Sequence, residues 1–197
     1  MAQGTLAAHK KGALKARKSL VFIDESGFML QPLVRATWAP SGRTPVLKSW
    51  DRHDRLTVFS ALTISPVRGR VGLYFMVQRT NAKSEDVKAF VRSVRRHLRR
   101  DIVVVWDRLS AHRSAARQLE GASGGGYQFE FLPAYAPELN PVEYVWSESK
   151  YVHLANFLPR DIGHLETELE ETLCTIGGKQ ENLHACVAHA RLCHKQR

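Results

Sequence analysis

Residues 84–107 read SEDVKAFVRSVRRHLRRDIVVVWD, and the division of this stretch decides the fold. Ser84 suits a helix N-cap, and Glu85 and Asp86 sit in the first turn, where acids complement the helix dipole. Val87, Phe90, Val91, Val94 and Leu98 recur at helical spacing. Arg92, Arg95, Arg96, Arg99 and Arg100 lie off that stripe, so the segment is an amphipathic helix with a basic outer face. The next five residues, IVVVW (102–106), are wholly apolar and bounded by Asp101 and Asp107. A short apolar run with no polar alternation is a strand buried on both faces, the habit of parallel sheets.

Upstream, SLVFID (19–24) is a second buried strand ending in an acid, followed by strand candidates at Arg35–Ala39, Arg55–Thr63 and Val71–Gln78. The turn-rich APSGRTP (39–45) separates the first two of these, and together they predict an antiparallel meander. Downstream come a short helix over 112–120, the flexible GASGGG (121–126) and a strand, YQFEFL (127–132). Asn140 caps a helix with Pro141 at its first position, running to about Phe157. Ile162, Leu165, Leu169, Leu173 and Ile176 line one face of a later helix. Strands alternating with helices in the second half require parallel pairing through crossovers. The expected class is α/β, a mixed sheet flanked by helices, and the ribonuclease H-like fold is one arrangement with this order. GASGGG lacks the Lys-Ser/Thr of a phosphate loop, which argues against nucleotide binding.

Lys and Arg outnumber Asp and Glu by 29 to 19, a formal charge of +10, which points to an anionic partner, nucleic acid first. A solvated basic surface is the bland alternative. Charge is unevenly spread: Lys10, Lys11, Lys15, Arg17 and Lys18 precede the first strand without an acid among them, whereas 161–171 holds Asp161, Glu166, Glu168, Glu170 and Glu171. No apolar run approaches the roughly 20 residues of a membrane span. Cys174, Cys186 and Cys193 are too few and too clustered for a disulfide framework, so a reducing, cytoplasmic setting is expected. Cys186, His189 and Cys193 match no zinc signature, and helix packing is the simpler account of them.

Three acids stand at element ends: Asp24, Asp107 and Glu143. Sites in open α/β sheets form beyond the carboxyl ends of strands. Convergent carboxylates without a basic partner repel one another, a conflict that hard divalent cations such as Mg²⁺ or Mn²⁺ relieve. Local readings compete. Taken alone, Asp24 reads first as the start of a turn through Glu25, Ser26 and Gly27. Glu143 suits the third helical position after Asn140 for purely local reasons. Asp107 has Arg108 and Arg113 nearby as ordinary ion-pair partners.

VFIDESGF (21–28), WAPSGRTP (38–45), WDRLSAH (106–112) and LPAYAPELNPVEYVW (132–146) together resemble the catalytic blocks of the Tc/mariner superfamily of DDE transposases, in particular its bacterial insertion-sequence branch, the IS-six-thirty group. The resemblance runs in order over about 19–157. The 35 residues between Asp107 and Glu143 (108–142) match the short spacing of that superfamily.

The resemblance implies a ribonuclease H-like core with Asp24, Asp107 and Glu143 as metal-binding catalytic acids, holding two Mg²⁺ or Mn²⁺ ions. It implies cleavage of transposon ends and their joining to target DNA by a homo-oligomer in the bacterial cytoplasm, at the nucleoid. His112 matches a histidine placed near the scissile phosphate, and a satisfied histidine at a helix start is the equal alternative. Arg108, Arg113 and Arg43 are further candidate DNA contacts. Arg108 departs from the Asn common after the second acid, which, with the missing N-terminal modules, motivates one alternative, a decayed domain that binds DNA without chemistry. A ribonuclease H-like cellular nuclease is a further alternative, against which the LNPVEYVW block (139–146) argues. Trp38, Arg43 and Pro45 match the turn block, for which a hairpin is the expected role. The expected organisation is a basic tail (1–18), a catalytic domain (19–160) and a helical extension of it (161–197). Complete relatives carry helix-turn-helix modules, and only 23 residues precede Asp24. The expectation is therefore either the second reading frame of a split gene, with a separate helix-turn-helix subunit or frameshift partner, or a truncated remnant.

Overall fold

The computed structural model describes Gly12 and residues 17–48, 54–67, 69–122 and 126–190. Nearly all of the expected basic tail (1–18), with Lys10, Lys11 and Lys15, lies outside the described residues, as does Cys193. Five strands form one sheet in the order β3-β2-β1-β4-β5: β1 (Ser19–Met29), β2 (Arg55–Ile64), β3 (Val71–Gln78), β4 (Ile102–Trp106) and β5 (Tyr127–Phe131). β1, β2 and β3 pair antiparallel, and β4 joins β1 and β5 in parallel. The predicted meander and the predicted parallel half thus share the central strand β1.

Successive residues of a strand face opposite sides, and each side is covered by helices. On one side α1 (Ser84–Leu98) and α2 (Ser110–Ala122) pack Val87, Phe90, Val91, Val94 and Leu119 against Val21, Ile23, Phe59, Val104 and Trp106. On the other, α3 (Val142–Glu148), α4 (Ile162–Gly178) and α5 (Gln180–His189) pack Trp146, Leu165, Leu169, Leu173 and Leu183 against Leu20, Phe22, Val58, Leu62 and Val105. α3 runs on into a π-helical turn, Ser149–His153.

Four local expectations are corrected. β1 does not stop at Asp24: β2 pairs with it all the way to Met29, so ladder hydrogen bonds override the turn tendency of Glu25, Ser26 and Gly27. Arg35–Ala39 is not a strand: among the described residues no strand pairs with it. Leu33 makes one isolated bridge to Ala155, and the Arg35 N–H donates to Asn156 Oδ1 at 2.8 Å. Beyond that anchor the chain is exposed through a turn closed by Arg43 N–H on Pro40 O, and Trp38 is fully exposed. At the start of α1 the cap is Lys83 rather than Ser84, with the Asp86 carboxylate accepting from Lys83 N–H at 2.9 Å. The helix that follows Asn140 ends at His153, not Phe157, where Leu154 N–H bonds back to Ser149 O.

Among the described residues no helix is long and apolar enough to cross a membrane.

Candidate active site

Parallel pairing of β1 with β4 ends at Phe22↔Val105. Two residues further along each strand stand Asp24 and Asp107, so both acids leave the carboxyl end of the same parallel pair, the usual place for a site in such sheets. Along β1, Asp24, Ser26 and Phe28 share the face covered by α3 and the π-helical turn. Trp146 Nε1–H donates to Asp24 Oδ2 at 2.9 Å, Lys150 Nζ donates to Ser26 Oγ at 2.7 Å, and Lys150 also lies over the Phe28 ring at 5.0 Å.

Asn140 fixes where α3 begins. It is 4% exposed, its Oδ1 accepts Val142 N–H at 3.2 Å, and its Nδ2 donates to Ile23 O at 3.4 Å. The residue before Asp24 is thereby tied to the residue three before Glu143, and the two carboxylates become electrostatic neighbours. Burial and then the Glu143 charge push the Asp24 carboxyl up from 3.8 to about 7, against the Trp146 hydrogen bond that lowers it. Burial also raises Glu143, with Lys150 opposing. Lys150 is lowered by burial, while Glu143 and Asp24 pull it back up, so its charge is coupled to both acids.

Asp107 is held differently. Its Oδ1 accepts Leu109 N–H at 2.9 Å and the Nδ1–H of His112. Partial burial works to raise its carboxyl, but these donors prevail and hold it below the ordinary value. His112 is 1% exposed, lies parallel to the Trp106 ring at 4.7 Å, and gives its Nε2–H to both oxygens of Glu25 at 2.9 and 3.0 Å. Burial opposes charge on this ring, but Asp107 and Glu25 outweigh it and raise its pKa to about 9, so it is a cation at neutral pH.

The three predicted acids therefore gather at one end of the sheet but divide into two sets: Asp24 with Glu143, and Asp107 with His112. Among the described residues no three acid, histidine or cysteine side chains stand in ligating geometry around one point. The donor chemistry nevertheless fits a hard divalent cation. Asp24 holds its proton to near neutrality because burial, and then a second carboxylate, disfavour its charge, and Asp107 Oδ2 accepts no hydrogen bond from the described residues.

The other candidates are more scattered. Arg108 is exposed and its Nε donates to Leu132 O at 3.3 Å, Arg113 is exposed on α2, and Arg43 is exposed in the turn after Pro40. Cys186 is packed in the core, where burial lifts its thiol to about 11, and His189 stacks on Tyr144 at 5.3 Å. Sequence reasoning missed Glu25, Trp146 and Lys150. The last two carried a usable signal: positions 143, 146 and 150 share one helix face.

The sequence profile of the DDE superfamily endonuclease family matches residues 19–166. The structure is similar to the mariner Mos1 paired end complex with Mg, with TM-score 0.65 and 16% identity over 98% of this chain and 59% of that one. It is also similar to the Mos1 paired end complex with Mn, with TM-score 0.65 and 14% identity over 96% and 60%. A Mos1 transposase paired-end complex with the left transposon end gives TM-score 0.61 and 16% identity over 96% and 60%. At such identities the likeness speaks for the fold, and the chain spans about 60% of the length of these proteins. No curated protein matches by sequence.

Proposed function

This chain belongs to the DDE superfamily endonuclease family, and from that footing we propose that it is the catalytic domain of a DNA transposase, cleaving phosphodiester bonds and joining the ends to target DNA. Its mixed five-stranded sheet flanked by helices is the ribonuclease H-like α/β fold. The observation that carries the reading is the electrostatically coupled Asp24–Glu143 pair at the carboxyl end of the β1–β4 pairing, with Asp107 two residues past the same ladder.

Asp24, Asp107 and Glu143 are the residues proposed to hold Mg²⁺ or Mn²⁺. Two such ions, when bound, activate a water or 3′-hydroxyl and stabilise the leaving oxygen. The protein's own groups prepare that place. Trp146 keeps Asp24 in one orientation, Asn140 sets Glu143 against it, and Lys150, held on Ser26, is electrostatically coupled to both. A partly desolvated ammonium next to the acids suits an incoming phosphate oxygen as well as it suits the carboxylates.

DNA is the proposed substrate. Arg92, Arg95, Arg96, Arg99 and Arg100 line one cleft with Asp101 and Tyr127, and Arg95 stacks on the Tyr127 ring at 4.8 Å. That cleft lies at the opposite end of β4 from Asp107, six residues or about 20 Å away. A phosphate backbone crossing the domain from the acids meets arginines there. Transposon ends, a separate helix-turn-helix subunit or frameshift partner, a homo-oligomer on DNA, and a place in the bacterial cytoplasm at the nucleoid belong to the same proposal.

The test is nicking of duplex DNA by the whole chain in Mn²⁺ or Mg²⁺. Cleavage that disappears in Asp107→Asn while DNA retention persists supports the reading. Cleavage undiminished in that variant removes Asp107 from the mechanism, and DNA retention without any metal uptake favours the decayed DNA-binding domain instead.

A further inference from the structure

Asp24 and Glu25 are chain neighbours on β1, so their side chains leave opposite faces of the sheet. Asp24 meets Trp146 on the α3 side. Glu25 meets His112, which stacks on Trp106 within the α1–α2 side. Through His112 the second face is coupled back to Asp107, because the two ring nitrogens serve different carboxylates: Nε2 reaches both oxygens of Glu25, and Nδ1 reaches Asp107 Oδ1. Asp107 Oδ1 carries a second hydrogen bond from Leu109 N–H. One oxygen of Asp107 is thus fully occupied and the other is free of described partners.

We propose that Glu25 and His112 are a positioning pair for Asp107: Glu25 fixes the orientation of the ring, and the ring retains Oδ1, so that Oδ2 is the oxygen offered to a divalent cation. This rests on the reading of Asp107 as a cation ligand and adds to it two residues that act through Asp107 rather than on the metal. Stability alone is a poor reason to keep such a group. A histidine 1% exposed between two acids carries a desolvation cost that an apolar replacement avoids. Outer residues that orient a ligating side chain typically change metal affinity by 10–100-fold when removed.

The experiment compares the parent chain with Glu25→Ala and Glu25→Gln. Mn²⁺ affinity is measured by calorimetry, thermal stability by melting, and the Asp107 side-chain carboxyl by ¹³C NMR in the metal-free protein, assigned with Asp107→Asn. Glu25→Ala is expected to weaken Mn²⁺ binding by roughly 10–100-fold and to shift the Asp107 carboxyl resonance. Glu25→Gln keeps an oxygen acceptor for the Nε2–H and is expected to restore both to near the parent. Unchanged Mn²⁺ affinity in Glu25→Ala overturns the proposal, even if the melting temperature falls, because the pair is then only structural. An unmoved Asp107 resonance overturns it as well, since the two residues are then not linked. A parent chain that takes up no Mn²⁺ defeats the metal-site reading and the purpose given to the pair, while the resonance still reports separately whether Glu25 acts on Asp107.

Discussion

The indole of Trp146 donates its Nε1–H to Asp24 Oδ2 at 2.9 Å, a bond that spans 122 residues of chain. It opposes burial and the Glu143 charge, which both keep Asp24 protonated. Trp146→Phe retains a ring against Phe28 but deletes the donor. The expected result is a stability loss of about 1–2 kcal/mol and Mn²⁺ affinity about tenfold weaker at neutral pH. Calorimetric titration at two pH values checks it, with part of the affinity returning at the higher pH. Equal affinity in the variant would show that the indole does not tune Asp24.

The raised Asp24 carboxyl also makes metal-free stability depend on pH. Between 3.8 and about 7 the folded chain binds a proton at Asp24 that the unfolded chain has released. The stabilisation is therefore complete below the ordinary value and is lost as pH rises towards 7. In Asp24→Asn that contribution vanishes, so melting temperature in chelator should fall less steeply across this window than in the parent. Metal binding must displace the same proton, so parent Mn²⁺ affinity should rise with pH up to about 7. Parallel melting curves for parent and variant would contradict the assignment.

Trp106 stacks on His112 at 4.7 Å and on Phe129 at 5.2 Å, and its buried Nε1–H has no described partner. Trp106→Phe loses packing but also removes an unsatisfied donor, itself a cost of about 1–3 kcal/mol. These offset, and denaturant unfolding should place the variant within about 1 kcal/mol of the parent. Trp106→Ala has no such compensation and should cost about 3–5 kcal/mol. A large loss in the Phe variant would mean the indole N–H is satisfied in solution.

Arg92, Arg96 and Arg99 are exposed along the basic edge of α1 and its C-terminal cap. Changing all three to Gln should weaken duplex binding without sequence preference. The slope of log affinity against log salt should drop by roughly one for each phosphate that is no longer neutralised. Filter binding at several salt concentrations measures it. An unchanged slope would place the DNA on another face.

Legibility in the sequence tracks how local each determinant is. The IVVVW strand and the amphipathic α1 declare themselves by composition and period, and the structure agrees with both. Asp24 was legible as an acid after an apolar run, but not as the middle of an eleven-residue strand, because only β2 makes Glu25, Ser26 and Gly27 extended. Arg35–Ala39 misled for the converse reason: its residues tolerate a strand, and among the described residues no strand pairs with it. Lys150 meeting Ser26 and Glu25 meeting His112 arise from packing across 124 and 87 residues. No window of sequence contains either pair.

The central strand has a consequence in time. Ribosomes deliver a chain from its N-terminus at about 5–20 residues per second. β1, β2 and β3 can close as a meander as soon as they emerge, but β4 arrives 83 residues after its partner positions on β1, and Trp146 and Lys150 come later still. Asp24 therefore spends on the order of ten seconds of synthesis without the groups that orient it. The nascent protein acquires its sheet first and its chemistry last, so a chain interrupted before residue 140 has most of the scaffold and none of the Asp24–Glu143 pair.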